Sequence, residues 1–398
     1  MNIVFNIIFW CILYFGLYKY LENKESNKKI IYLFFGILML RLAFANLKYF
    51  GNLPPRFPDA ELYKGAIGDI VGSGMNFGAY SNRIDVMMYV WFYSIIQFIS
   101  GNIYITIINM NTLFGSLAIY NAGKIAKEIK DEKAMIITMS LLLAYPSLIL
   151  YTTDNLREGL VLFFITLAIY NLVKYIKYRE SKNILIYCVL LIPIFSFRVV
   201  NLPMMVVCGV VGVVIANRKT INIKYLIAGS ILTCLIAWII VYNFTNVRIT
   251  LDYINQTLNR DRFDSMAYLV GLRYDNWLEL IAYIPIRLFY LMFYPFPWAL
   301  ESYQYLIVTI SSLYEVIIVL IVIIFLFKES KYIKNKTLLY SIISFALICL
   351  TAYAVVKSEA ATRHRLQFMW MFPTVAGILI SNQISIIYDK KFKRLYKK

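Results

Sequence analysis

One histidine, five scattered cysteines and only 22 acidic residues leave this 398-residue chain short of the side chains that build most soluble active sites. Cys11, Cys188, Cys208, Cys234 and Cys349 all lie in apolar runs. They form no CxxC pair and their total is odd, which rules against a zinc framework and a disulfide framework alike. They read as small core residues. No glycine-rich phosphate loop is visible, so nucleotide binding has no anchor in the sequence. The first apolar run lacks a basic leader and a small-residue cleavage site, and no cleavable signal peptide is expected. Neither an internal repeat nor a stretch long enough to fold as a separate soluble domain is evident. The net charge of +18 does not point to nucleic acid. It comes largely from lysine clusters suited to anionic lipid headgroups.

Apolar sequence is what the chain has in excess: 61% of its residues are hydrophobic and its mean hydropathy is +0.66. Several runs approach the ~20 residues that span a bilayer. The expected fold class is all-α, a polytopic integral membrane helical bundle occupying residues 1–398 as a single transmembrane domain. About eleven spans are expected, near 2–20, 30–47, 103–121, 134–151, 158–176, 183–198, 201–217, 224–243, 303–327, 337–356 and 367–387. Two more apolar runs, near 84–99 and 276–298, would put the next lysine cluster on the wrong side if each crossed. They are expected as re-entrant or interfacial segments. Trp277, Tyr290, Tyr294 and Trp298 suit the second to headgroup depth.

The basic residues separate by type. Of 25 lysines, 22 fall in clusters such as 19–29, 124–133, 174–182, 328–336 and 390–398, which mark the cytoplasmic face by the positive-inside rule. Only Arg179, Arg218 and Arg394 of the 15 arginines join them. The rest fall on or near the outer face, where a planar, permanently charged fork suits a phosphorylated substrate.

Three outer constellations carry candidate chemistry. The loop at 48–83 contains Pro58-Asp59-Ala60-Glu61-Leu62-Tyr63, and a helix is expected to follow. Its buried face would carry Tyr63, Ala66, Ile67 and Ile70, with Gly72 to Gly74 ending it and Asp59 as a possible N-cap. Asp59 and Glu61 are then either a cap and a solvated acid or a catalytic pair, and the length of the loop favours the second. In the next loop, Asp154, Arg157 and Glu158 stand between two spans, joined by Arg198 at a later outer turn; charges this close to hydrocarbon usually face a cavity or a partner. The third is Glu359 to Arg365, where Arg363, the lone His364 and Arg365 place positive charge at an outer helix end. A phosphate or pyrophosphate would compensate it. The loop 244–302 completes the outer face with its interfacial segment.

Asp59-Ala60-Glu61 resembles the acidic D-x-E pair in the first outer loop of GT-C superfamily membrane glycosyltransferases. Tyr145-Pro146-Ser147 with Asn155-Leu156-Arg157-Glu158 is similar to a segment of bacterial protein-mannosyltransferase-like members. Arg363-His364-Arg365 resembles the late R-x-R segment of such enzymes and of surface-polysaccharide polymerases. The chain differs in adding a span before the acidic loop and in lacking a large C-terminal soluble domain. The resemblance implies sugar transfer from a polyprenyl-phosphate-linked donor to a glycan acceptor at the outer face of the cytoplasmic membrane. Asp59, Glu61 and Glu158 would be catalytic, and Arg157, Arg198, Arg363, His364 and Arg365 would bind the substrate phosphate. The resemblance fixes no cofactor and leaves a divalent cation optional, which Asp59 and Glu61 would hold. The alternatives are a repeat-unit polymerase using a polyprenyl-pyrophosphate-linked oligosaccharide, and a lipid-linked oligosaccharide flippase or transporter, the latter favoured by Glu315 inside an apolar run.

Overall fold

A computed structural model describes residues 2–52, 54, 57–218, 250–261, 267–269, 271–299, 303–329, 333–356 and 361–395. The described residues are all-helical, with sixteen α-helices and no strand. Five helices are long and apolar enough to cross a membrane: Ile3–Lys24, Lys28–Gly51, Glu158–Tyr178, Leu306–Lys328 and Lys336–Val355. Two broken pairs raise the number to seven if each counts as one span: Glu132–Leu143 with Pro146–Thr152, and Thr362–Met369 with Met371–Ile387. This is consistent with a multi-pass membrane protein.

The expected count of about eleven is therefore resolved only in part. The helices expected at 183–198 and 201–217 exist as Ser181–Phe197 and Asn201–Asn217, each 17 residues long. At ~1.5 Å per residue such a helix falls short of a ~30 Å hydrocarbon core. The segment expected at 103–121 is the helix Ile105–Ile129, whose hydropathy is diluted by asparagines and lysines. The span expected at 224–243 lies outside the described residues. Both runs expected as interfacial are helical, at Ile84–Ile99 and Trp277–Phe293.

Local chemistry sets the helix ends. The helix Lys28–Gly51, α2, begins where the Asn27 side chain accepts the Lys29 N–H, and it stops at Asn52 in left-handed backbone. Asp131 caps Glu132–Leu143 through the Ala134 N–H at 2.8 Å. The acidic motif does not precede the helix but forms its first turn: α3 covers Pro58–Gly72 and buries Ala60, Tyr63, Ala66, Ile67 and Ile70. This is the face expected from the sequence. Its cap is not Asp59. Phe57 occupies that position without a side-chain cap bond, because Pro58 already fills the first helical turn, where a missing N–H costs nothing. Asp59 sits one residue further in.

The chain divides into two compact units. The first contains residues 1–120, 148–166 and 192–199; the second contains residues 121–147, 167–191 and 200–398. In the first, Phe92, Phe114, Phe163, Phe164 and Phe197 meet ring to ring. In the second, Gly377 lies against Thr138 and Gly212 against Leu172, approaches too close for a Cβ. Small residues at such contacts let membrane helices pack by van der Waals attraction where no aqueous driving force exists.

Candidate functional site

The centre of the first unit is the non-helical turn at residues 153–157, between the helices Pro146–Thr152 and Glu158–Tyr178, here α7 and α8. Every residue from Thr152 to Glu158 is buried, three of them ionisable. Buried irregular backbone needs partners for its carbonyls. Asn111, on the helix Ile105–Ile129, supplies them by donating to the Asp154 and Leu156 carbonyls at 2.7 Å each. Its own carbonyl oxygen accepts from the Tyr93 hydroxyl at 2.6 Å. Gly159 lets this close approach occur, because a Cβ there would lie 2.8 Å from the Asn111 backbone oxygen.

The turn also anchors the acidic motif. Asn155 donates to the Ala60 carbonyl at 3.2 Å and accepts from the Tyr89 hydroxyl at 2.9 Å. Asp59-Ala60-Glu61 is thus docked on the same turn that carries Asp154, Arg157 and Glu158. Asp59 is half-buried and Glu61 exposed. Lys64, one turn on, lies 3.5 Å from the Glu61 carboxylate.

Three ion pairs surround the turn. Arg157 donates to Asp85 at 2.6 Å, Arg198 to Glu158 at 2.8 Å, and Lys48 lies 2.7 Å from Asp154. Lys48 also faces the Phe57 ring at 4.5 Å. A fourth cation, Arg41 on α2, is just as buried, and among the described residues its only hydrogen bond goes to the Thr152 hydroxyl. Its Nε and Nη1 have no partner among the described residues, and no carboxylate lies against it. Among the described residues, four buried cations therefore face three buried carboxylates, with the exposed Arg83 also 3.6 Å from Asp85, and the excess buried charge is carried by Arg41. A buried, unpaired ion costs several kcal/mol in its site, and in membrane proteins such residues mark substrate pathways.

Arg157, Arg198 and Glu158 are thus brought together with the Asp59–Glu61 motif. Arg363, His364 and Arg365 lie in the second unit, on the helix Ala361–Met369. Arg363 and His364 are half-buried, and His364 stacks on Tyr353 at 5.5 Å. Arg365 is fully buried. It pairs with Glu315 and donates to Ser312 Oγ at 2.7 Å and to the Leu291 and Tyr294 carbonyls. Glu315 in turn accepts from the Tyr145 hydroxyl. No group of three or more His, Cys, Asp or Glu side chains is gathered to hold a metal among the described residues.

Sequence reasoning missed Arg41, Lys48 and Asp85 as members of this cluster. Lys48 carried a signal, being one of three lysines outside the basic clusters. Arg41 carried another, as a full charge inside an apolar run. Asp85 carried none, since its partner is 72 residues away. No protein-family model, curated protein or solved structure matches the chain.

Proposed function

We propose that this chain is an integral-membrane glycosyltransferase of GT-C type. It would transfer sugar from a polyprenyl-phosphate-linked donor to a glycan acceptor at the outer face of the cytoplasmic membrane. The observation that carries the reading is the docking of the Asp59–Glu61 motif, through Asn155 and Ala60, on a buried turn with one uncompensated guanidinium. Transfer requires a base for the acceptor hydroxyl and positive potential for the leaving phosphate, and the first unit holds both.

In the reaction, the Asp59 carboxylate takes the acceptor hydroxyl proton as that oxygen bonds to the anomeric carbon. The bond from that carbon to the phosphate oxygen breaks, and the polyprenyl phosphate leaves as an anion. Glu61, exposed beside Asp59, orients the acceptor. Arg157 and Arg198, held by Asp85 and Glu158, line the phosphate side, and the unbalanced charge of Arg41 favours negative charge developing there. In low dielectric such a charge acts without direct contact. Asp59 and Glu61 would also be the first residues to meet a divalent cation; magnesium is usually held by one or two carboxylates, with waters and substrate phosphates completing its six oxygens.

The test is Asp59→Asn, assayed in detergent with a polyprenyl-linked sugar donor and a glycan acceptor. Losing a general base should lower turnover by about 100- to 10,000-fold with the elution profile on gel filtration unchanged. Wild-type turnover in this variant would reduce Asp59 to a helix-end residue. A polyprenyl-pyrophosphate-linked oligosaccharide run beside the monosaccharide donor distinguishes single transfer from polymerisation. The transport reading rests on the ionisable pair Glu315–Arg365 buried in a candidate span; it requires no product in detergent, where no compartment exists, across every donor offered.

A further inference from the structure

A second charged site lies wholly within the second unit. A cavity of about 370 Å³ opens where three chain segments meet: the end of α8, the end of Asn201–Asn217, and the start of Lys336–Val356. Lys177, Arg179, Arg218, Lys334 and Lys336 line it, and among the described residues no carboxylate does. Lys177 alone has an acidic partner, Glu128 at 2.8 Å. Arg179, Arg218, Lys334 and Lys336 are exposed and have no ion pair among the described residues.

Lysines at helix ends usually spread into solvent. Here the frame holds them together. Asn217 donates to the Tyr175 hydroxyl at 2.9 Å and joins two of the helix ends. Asn335 donates to the Ile129 carbonyl at 3.1 Å and fixes the third segment. Lys177 is itself tied back to the Glu128 carbonyl at 2.7 Å. Arg179 stands in left-handed backbone (φ 58°), ending α8 at the rim of the cavity instead of continuing the helix. With Lys177 paired to Glu128, the four remaining like charges around one concave space repel one another unless an anion sits among them. Two of the three segments are ends of candidate membrane spans, and the end of a span is where it would meet water.

We infer that this cavity binds a phosphate group, either that of an anionic lipid headgroup or that of a soluble phosphate compound. Basic pockets between helices on the positive face of a membrane protein suit phosphate headgroups, and two arginines add bidentate recognition to three point charges. The inference is independent of the sugar-transfer reading, because it concerns other residues and another unit.

Amine-reactive footprinting of the full chain in phosphatidylcholine nanodiscs tests it, with Lys334 and Lys336 as reporters and the exposed Lys182 as reference. One arm replaces phosphatidylcholine stepwise with phosphatidylglycerol; the other adds inorganic pyrophosphate. Protection of Lys334 and Lys336 over Lys182 is expected in at least one arm, and which arm identifies the source of the phosphate. Removing Arg179 and Arg218 as R179Q/R218Q should shift the midpoint of protection by about fivefold for each charge. Both arginines are exposed, so the variant keeps its packing, and the wild-type arms stand without it. No protection in either arm, equal protection at Lys182, or an unshifted midpoint in the double variant would each overturn the site.

Discussion

Arg41 and Arg365 are both buried in helices of this protein, yet they are different physical objects. Arg365 has a carboxylate, a hydroxyl and two backbone carbonyls around it, and its carboxylate partner Glu315 is itself held by Tyr145. Arg41 has one hydroxyl. The first is a neutralised strut; the second is a charge left standing. A guanidinium deep in an apolar chain is thus no signature of function until its partners are counted. The candidate phosphate-binding residues divide along the same line. Arg157 and Arg198 are paired but grouped around an excess charge, whereas Arg365 is spent on its own surroundings.

The contrast is broken most sharply at Arg365. Arg365→Met leaves Glu315 buried without its counter-charge, and the expected loss is about 3–5 kcal/mol, read as a large fall in thermal midpoint or as loss of folded protein. Combining it with Glu315→Met should restore most of that loss. A mild Arg365→Met would mean that the pair is not the strut described.

Next in size is Asn111, which holds the buried turn. Asn111→Leu keeps the shape and removes the donor, so the Leu156 carbonyl loses this bond and the Asp154 carbonyl keeps only the Leu156 N–H at 2.8 Å. The loss should cost about 1–3 kcal/mol. Unfolding by chemical denaturant would show it, and an unchanged midpoint would mean that the turn is held by other bonds.

The smallest effect on stability, and the most informative, belongs to Arg41. Arg41→Met removes an ion that no described carboxylate neutralises, so the thermal midpoint should hold or rise while the proposed sugar transfer falls. A drop as deep as that of Arg365→Met would place Arg41 among the struts and remove the excess charge from the proposed mechanism.

Much of this was legible in the residues themselves. The buried face of Pro58–Gly72 follows from helical spacing of Tyr63, Ala66, Ile67 and Ile70, and the structure buries all four. The cap on that helix was misplaced because Asp is a good cap by type, but Pro58 had already set the start one residue earlier. The span count was read from hydropathy, which does not register where a helix stops. Ser181–Phe197 and Asn201–Asn217 are apolar enough but short. The run through Trp370 is two helices bent by 41°, not one. In the candidate site, Arg157, Glu158 and Arg198 stood out as charges at the ends of apolar runs. Their pairing did not. Asp85 meets Arg157, and Lys48 meets Asp154, across separations that periodicity cannot reach.

Gly115 gives the excess charge one further property. A Cβ at that position would lie 2.5 Å from Arg41 Nη2 and 2.6 Å from the Thr152 hydroxyl oxygen, so the guanidinium rests directly against bare helix backbone. Side chains that swing must reorient when new charge appears near them, and that motion is part of the barrier; fixed dipoles and fixed ions avoid it. Wedged between Gly115 and Thr152, this arginine behaves less like a side chain than like a charge built into the protein, the kind of fixed charge that the proposed transfer would use.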